Sequence, residues 1–257
     1  MAEQPHPPHT ADSADADPRA GSGGDLRATA SVQDRAGDDA AYRAAVVDLL
    51  GALAYGELTA FSRLAADADL APTQPYKAAL AGLAVAEFHH YEALTASLGE
   101  MGVDPEEAMA PFIAPIDAFH DRTRPTGWLE GLVKAYVGDG IATDFYREIS
   151  AYVDAATQAR VRSVLQDVGQ AEFAVRAVRE AIAADARIAG RLALWGRRLV
   201  GEALSQAQRV AVERDALASL LVGGHNRPGA DLAELGRMFA RLTDEHTRRM
   251  DRLGLSA

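Results

Sequence analysis

The sequence predicts an all-α protein: a four-helix bundle with a long connection between its second and third helices, followed by two C-terminal helices. From Tyr42 onward, apolar residues recur at intervals of three and four, which is typical of amphipathic helices. The alternation of apolar and polar residues expected for half-buried strands is missing. Clusters of glycine and proline separate the helical segments and mark the turns between them.

The first 40 residues are expected to form a disordered acidic tail. They are rich in Pro, Gly, Ser, Asp and Ala, and almost no large apolar side chain is present to offset the entropy lost on ordering. Residues 41–257 are expected to form one helical domain. Within it, the core bundle spans 42–185 and the C-terminal helices span 186–254.

Six helices follow from the spacing of apolar residues. A short apolar helix near Pro105 to Phe119 interrupts the connection over residues 99–127, and the segment GGHNRPG separates the last two helices. The hairpins A–B and C–D, joined by this long connection, have the connectivity of the ferritin-like variant of the four-helix bundle. The helices are expected at residues 42–68 (A), 76–98 (B), 128–153 (C), 157–183 (D), 186–222 (E) and 231–253 (F).

The composition excludes several classes of protein. The absence of cysteine rules out disulfides, thiolate zinc sites, iron–sulfur clusters and cysteine nucleophiles. No secretory signal is recognisable and no run of about 18 apolar residues occurs, so we expect a cytoplasmic protein without a membrane partner. The net charge of −11 is not typical of a nucleic-acid-binding protein. Residues 186–257 are nevertheless rich in arginine, so a local basic surface remains a possible interpretation.

Three ionisable residues lie on the apolar stripes of helices A and B. Glu57 continues the stripe of Leu53 and Phe61, and Glu87 and His90 have the spacing Glu-x-x-His, which places both on one helix face. Because burying an unpaired charge is costly, such residues normally have a partner or bind a metal ion. A Glu from one helix and a Glu-x-x-His from its neighbour form half of a di-iron carboxylate site. A buried Glu–His hydrogen-bonded pair is the alternative interpretation.

Helices C and D are expected to supply the second half of such a site. Asp139 lies in phase with the apolar residues of helix C, and Asp167 and Gln170 repeat the i, i+3 spacing on helix D. Asp144 and Glu172 are rival positions on the same two helices.

Four segments resemble the ferritin-like family of tRNA hydroxylases that act on 2-methylthio-isopentenyl-adenosine, especially a bacterial ferritin-like branch similar to it. The resemblance covers about residues 45–210. It implies two irons held by Glu57, Glu87, His90, Asp139, Asp167 and Gln170, and oxygen-dependent hydroxylation of a modified tRNA nucleoside. The segments are AYGELTAF (54–61), AEFHHYEAL (86–94), GLVKAYVGDGIATDFYREI (131–149) and DVGQAEF (167–173).

The sequence departs from the family pattern in the second half of the site. Asp139 and Asp167 stand where the family has glutamate, and Gln170 stands where it has a metal-binding histidine. The site therefore binds two irons, one or none. Two alternatives to a hydroxylase stay open: a non-catalytic binding or assembly module with a degraded metal site, and an iron oxidase or storage protein.

Contacts with partners are expected from the C-terminal helices. Helix E forms either an intramolecular cover or the interface of a homodimer. Glu202 on helix E is either an additional ligand or the partner of an arginine, and His246 on helix F is expected on a solvated face. Seven arginines form a candidate surface for tRNA phosphates: Arg191, Arg197, Arg198, Arg237, Arg241, Arg248 and Arg249.

Overall fold

The computed structural model describes residues 23–165, 170–223 and 230–257. The chain divides into two units, Met1–Ala40 and Ala41–Ala257. Nine α-helices and one 3-10 helix (Ala68–Leu70) are described, and no strand occurs among these residues, which confirms the predicted all-α fold. The α-helices are α1 (Gly23–Asp67), α2 (Gln74–Glu100), α3 (Pro105–Arg122), α4 (Trp128–Ser150), α5 (Ala155–Val164), α6 (Gln170–Ala184), α7 (Ile188–Glu213), α8 (Asp215–Val222) and α9 (Leu232–Leu253).

The first helix begins earlier than the sequence predicts. Residues 23–40, which were expected within a disordered tail, are helical in the first unit. Alanine, leucine, arginine and glutamine in this stretch all favour helix formation. Residues 1–22 lie outside the described part of the chain, and the division into tail and domain stays a prediction.

Two predicted helices are each divided in the structure. Helix D corresponds to α5 and α6, since α5 ends at Val164 and Leu165 leaves the helical conformation. Helix E corresponds to α7 and α8, because Arg214 adopts φ −127° and ψ 80° between them. Three helices therefore follow the bundle in place of the two that the sequence predicts. The expected helix in the connection between α2 and α4 is confirmed as α3.

Side-chain caps explain where several helices begin. Asp104, Asp154 and Asp231 each accept a hydrogen bond from a backbone N–H in the first turn of α3, α5 and α9. Asp154 also accepts a hydrogen bond of 2.6 Å from the Tyr42 hydroxyl, which joins the start of α5 to α1.

Two clusters of buried apolar residues form the core of the second unit. The Trp195 cluster contains Leu64 of α1, Ala84 of α2 and Ile141 of α4, together with residues of α6, α7 and α9. The Phe112 cluster contains residues of α1 and α2, such as Leu53 and Leu94, together with residues of α3, α4, α5 and α8. Along both α1 and α2, one turn or more of helix separates the members of the two clusters. The polar side chains described below lie in these intervals.

One helical segment, Asp39–Leu70, is long and apolar enough to cross a membrane by length and composition alone. More than half of its most apolar stretch, 56%, is buried inside the protein. Core helices of soluble proteins have the same properties, and Glu57 lies within this segment.

Candidate metal centre

Glu57, Glu87 and His90 come together between the two core clusters. Glu57 lies on α1 between Leu53 and Leu64, and Glu87 and His90 lie one turn apart on α2. The Glu57 and Glu87 side chains are 11% and 4% exposed, and that of His90 is 17% exposed. The apolar stripes on both helices therefore place all three side chains inside the bundle, as the sequence predicts.

The ligand atoms of these three side chains converge. His90 Nδ1 lies 3.4 Å from Glu57 Oε2 and 3.5 Å from Glu87 Oε2. One ligand atom from each residue lies within 4.8 Å of the other two. Glu57 Oε2 and His90 Nδ1 are buried and neither has a hydrogen-bond partner of acceptable geometry. Native proteins rarely leave buried polar atoms in this state without a ligand or an ion.

The charges of the cluster are strongly perturbed. Burial raises the pKa of Glu57 well above its usual range, and the carboxyls of Glu87 and Asp139 raise it further, while His90 lowers it. The carboxyls of Glu57 and Glu87 raise the pKa of His90 to about 10. The neighbouring carboxyls contribute to both shifts, in addition to the burial that dominates at Glu57, and a bound cation would offset their negative charge.

This donor set fits a non-haem iron. Two carboxylates and one imidazole are hard and borderline ligands that suit Fe²⁺ or Mn²⁺, and three protein ligands leave further coordination positions open. The spacing agrees with this, because one ligand atom from each of the three residues lies within 4.8 Å of the other two, so that the group could hold one ion.

The predicted second half of the site is only partly described. Asp139 on α4 lines the same two cavities as Glu57. It is close enough to Glu57 for its charge to raise the Glu57 pKa. The Asp139 side chain is exposed. Asp167 lies outside the described residues. Gln170 begins α6, and its side chain also lies outside the described part.

The two rival positions pair with arginines. Asp144 is buried and binds Arg147, at 3.1 Å, and Arg249. Glu172 is exposed and lies 2.6 Å from Arg252. Both carboxylates are thereby neutralised by partners other than a metal.

Two cavities meet at the cluster. The first, of about 420 Å³, is lined mainly by apolar side chains of α1, α3, α4, α7, α8 and α9, and we call it the apolar cavity. The second, of about 400 Å³, is lined largely by charged side chains, among them Arg147, Arg248 and Arg252. Glu57, Glu87 and Asp139 line both. The candidate ligands therefore border a space large enough for a small molecule.

A family model described as a ferritin-like domain of actinomycetes matches residues 40–224. The match includes every helix from α2 to α8 and all six predicted ligand positions. The chain belongs to this ferritin-like family. No curated protein sequence matches the chain at a significant level.

The prediction for one histidine of this ferritin-like protein is wrong. His246, expected on a solvated face, is 5% exposed and lines the apolar cavity. Met238, Leu242 and Met250 lie at helical spacing with it, and the charged neighbours in DEHTRR obscure this stripe. The stripe is the sequence signal that identifies His246 as an interior residue.

Two further interior residues carry no such clear signal. Gln206 on α7 is buried, and His120 at the end of α3 is half-buried; both line the apolar cavity. Their burial depends on how α3, α7 and α9 pack together, which helical spacing alone does not determine.

The C-terminal arginines are largely paired. Arg241 binds Glu148 and Glu234, and Arg249 binds Asp144. Glu202 lies 3.5 Å from Arg122, in agreement with its interpretation as the partner of an arginine. The other five arginines contact a carboxylate or a backbone carbonyl: Arg191 with Glu130, Arg197 with Ser256, Arg198 with Arg122, Arg237 with Glu234 and Arg248 with Glu245.

Proposed function

We propose that this ferritin-like protein binds iron through Glu57, Glu87 and His90 and catalyses oxygen-dependent hydroxylation of an organic substrate. The observation that carries the proposal is the convergence of ligand atoms from Glu57, Glu87 and His90 beside an apolar cavity that Glu57 and Glu87 line. A metal site for storage alone needs no such cavity, whereas a hydroxylase must hold an organic molecule beside its metal.

The residues of the site have distinct roles in this proposal. Glu57 and Glu87 supply negative charge that offsets the charge of the metal, and His90 must release its proton from Nδ1 before that atom can bind. The apolar walls exclude water from the reacting bond. When bound, iron would supply the activation of dioxygen needed to insert one oxygen atom into an unactivated C–H bond, while the other atom leaves as water with two protons and two electrons from a separate reductase.

A second iron is part of the proposal. Asp139 is the described residue that supports it, since it borders both cavities together with Glu57 and Glu87. Asp167 and Gln170 complete the set that the resemblance implies. Two irons per chain would indicate an intact site, and one iron would indicate that only half of the site binds metal. No iron would indicate a non-catalytic bundle.

Metal analysis of a variant tests the proposal. After anaerobic reconstitution with Fe²⁺ and removal of free metal, we expect the wild-type protein to retain at least one iron per chain. Glu87→Ala should retain none, because it removes the most deeply buried ligand of the three. Glu92→Ala is the matched control, since Glu92 is exposed on the same helix and should bind iron like the wild type. Equal iron contents in Glu87→Ala and in the wild type would show that the site is not formed by these residues.

A modified tRNA nucleoside is the substrate that the resemblance supports. Binding of tRNA should then weaken steeply as salt concentration rises, because contacts with phosphates release counterions. Each of the seven C-terminal arginines already contacts a carboxylate or a carbonyl oxygen, so phosphates would be bound by the guanidinium N–H groups that these contacts do not use. Absence of salt-dependent tRNA binding would remove tRNA as the substrate and leave the iron site itself untouched.

A further inference from the structure

The apolar cavity has polar groups in its wall that lack partners. Gln206 Oε1, His120 Nδ1 and both ring nitrogens of His246 are buried without a hydrogen-bond partner in the described structure. All three residues line this cavity. A buried polar group without a partner costs about 1–3 kcal/mol, so their presence in one wall indicates that something else satisfies them.

Gln206 and His246 are the most deeply buried of these residues. They are 7% and 5% exposed and belong to α7 and α9, two helices outside the bundle. Burial and the positive charge of Arg249 lower the pKa of His246, so its imidazole is neutral near pH 7. A neutral imidazole has one donor and one acceptor nitrogen, and Gln206 Oε1 is an acceptor.

Most of the remaining cavity wall is suited to hydrocarbon, and Arg63, Asp67 and Lys134 also line it. Phe112, Ile116, Phe145, Leu204 and Leu242 are among its lining residues. Its volume of about 420 Å³ lies within the range of cavities that bury small organic ligands.

We propose that the apolar cavity binds a neutral, largely aliphatic molecule with one hydroxyl group, which is held by Gln206 and His246. A hydroxyl both donates and accepts, so it can donate to Gln206 Oε1 and accept from the protonated ring nitrogen of His246. Charged groups of both signs border the same space, and the carboxyls outnumber the cations, which disfavours an anionic group; they are Glu57, Asp67, Glu87 and Asp139, with Arg63 and Lys134. Binding of this molecule is independent of the metal, whereas its role as the substrate to be hydroxylated rests on the proposed function.

The test uses the metal-free, full-length protein and the neutral fluorescent probe N-phenyl-1-naphthylamine. We expect the probe to bind to the protein. We expect 1-decanol to displace it with a dissociation constant about tenfold lower than that of 1-chlorodecane. The two competitors have similar chains, but only the alcohol can donate a hydrogen bond. Tenfold corresponds to about 1.4 kcal/mol. Equal displacement by the two compounds, or no binding of the probe, would overturn the proposal.

Variants locate the hydroxyl group. Gln206→Leu and His246→Leu should bring the ratio between the two competitors close to one, because each removes a polar group and retains most of the apolar volume. Gln208→Leu is the matched control, since Gln208 is exposed on the same helix and should keep the tenfold preference. A preference retained in both cavity variants would show that the alcohol is recognised elsewhere.

A second pair of variants locates the probe. Ala207→Trp should fill the cavity and abolish probe binding, whereas Gln208→Trp should leave it unchanged, provided that circular dichroism shows both to be folded. Probe binding that survives in folded Ala207→Trp would also overturn the proposal. The wild-type comparison of the two competitors needs no variant and decides the case even if Ala207→Trp does not fold. Iron binding measured in parallel separates a failure of this proposal from a failure of the metal site.

Discussion

At the scale of single residues, three interior histidines show how their surroundings determine charge. Two carboxyls raise the pKa of His90 to about 10, whereas burial, with Lys134 and Arg63 nearby, lowers the pKa of His120 to about 3. His246 is shifted in the same direction as His120. His90 is therefore suited to binding carboxylates while protonated, and to binding a metal after it loses its proton. His120 and His246 are suited to neutral ligands.

Burial of His120 should make the protein sensitive to acid. Above about pH 6.5 the residue is neutral in both the folded and the unfolded states, so it has no effect on the pH dependence. Between about pH 6.5 and 3 only the unfolded chain binds the proton, so stability is lost as the pH falls. His120→Phe should remove this loss, which amounts to about 1.3 kcal/mol on going from about pH 7 to about pH 5.5.

Urea unfolding of the wild type and His120→Phe at the two pH values measures this difference. Comparing the two proteins isolates His120, because the buried carboxyls titrate in the same way in both. His89→Phe, a change of the same kind at an exposed position, should keep the wild-type dependence. Identical pH dependence in His120→Phe and in the wild type would contradict the prediction.

At the scale of helices, close approach matters as much as apolar spacing. Gly51 on α1 has no room for a side chain, because a Cβ atom there would overlap the backbone carbonyl of Ala108 on α3. Backbone cannot move aside as the end of a flexible side chain can. The contact between α1 and α3 therefore depends on glycine at this position.

Gly51→Ala should destabilise the protein by about 1–3 kcal/mol, because α3 must shift to relieve the overlap. Gly56→Ala in the same helix is the control, since no atom lies within 4 Å of the added Cβ. There, the better helix propensity of alanine should stabilise the protein by about 0.5–1 kcal/mol. Thermal or urea unfolding measures both values, and a stable Gly51→Ala would show that α1 and α3 are further apart in solution.

Helical spacing predicts much of the fold, and tertiary contacts explain where it fails. The stripes that contain Leu50, Leu94 and Leu132 are buried as predicted. The division between α7 and α8 could not be predicted, because Arg214 is neither glycine nor proline and its partner is Asp48 on α1, 166 positions away. Such a pairing depends on the assembled fold.

The candidate site was predictable to the extent that it interrupts an apolar stripe. Glu57, Glu87 and His90 each replace an apolar residue on a regular helix, so their inward direction follows from the sequence. Gln206 and His120 became candidates only through the packing of α3, α7 and α9 around one cavity. Whether Asp139 contributes to the metal centre depends on its distance from Glu57, which lies on a different helix. The spacing of residues along one helix does not determine that distance.

At the scale of the whole molecule, the candidate metal centre connects α1 and α2 between the two core clusters. A metal held by Glu57 and by the pair on α2 would link these helices in the folded state only. Because the unfolded chain does not bring the ligands together, bound metal should stabilise the fold.

Mn²⁺ at about 100 times its dissociation constant should stabilise the protein by about 2.7 kcal/mol and raise its Tm relative to protein treated with EDTA. Mn²⁺ suits the measurement because it is not readily oxidised in air at neutral pH. Glu87→Ala should show no change in Tm on adding the metal. An equal rise in this variant would place the metal elsewhere in the protein.

The positions of the tryptophans determine what fluorescence can detect in this protein. The chain has two tryptophans; Trp195 belongs to the Trp195 cluster, and Trp128 packs against that same cluster. Tryptophan emission is therefore an intrinsic probe of that one part of the core. Loosening confined to the Phe112 cluster, where α3, α5 and α8 contribute, would leave the emission nearly unchanged. An emission melting curve should accordingly be read as the unfolding of one half of the core.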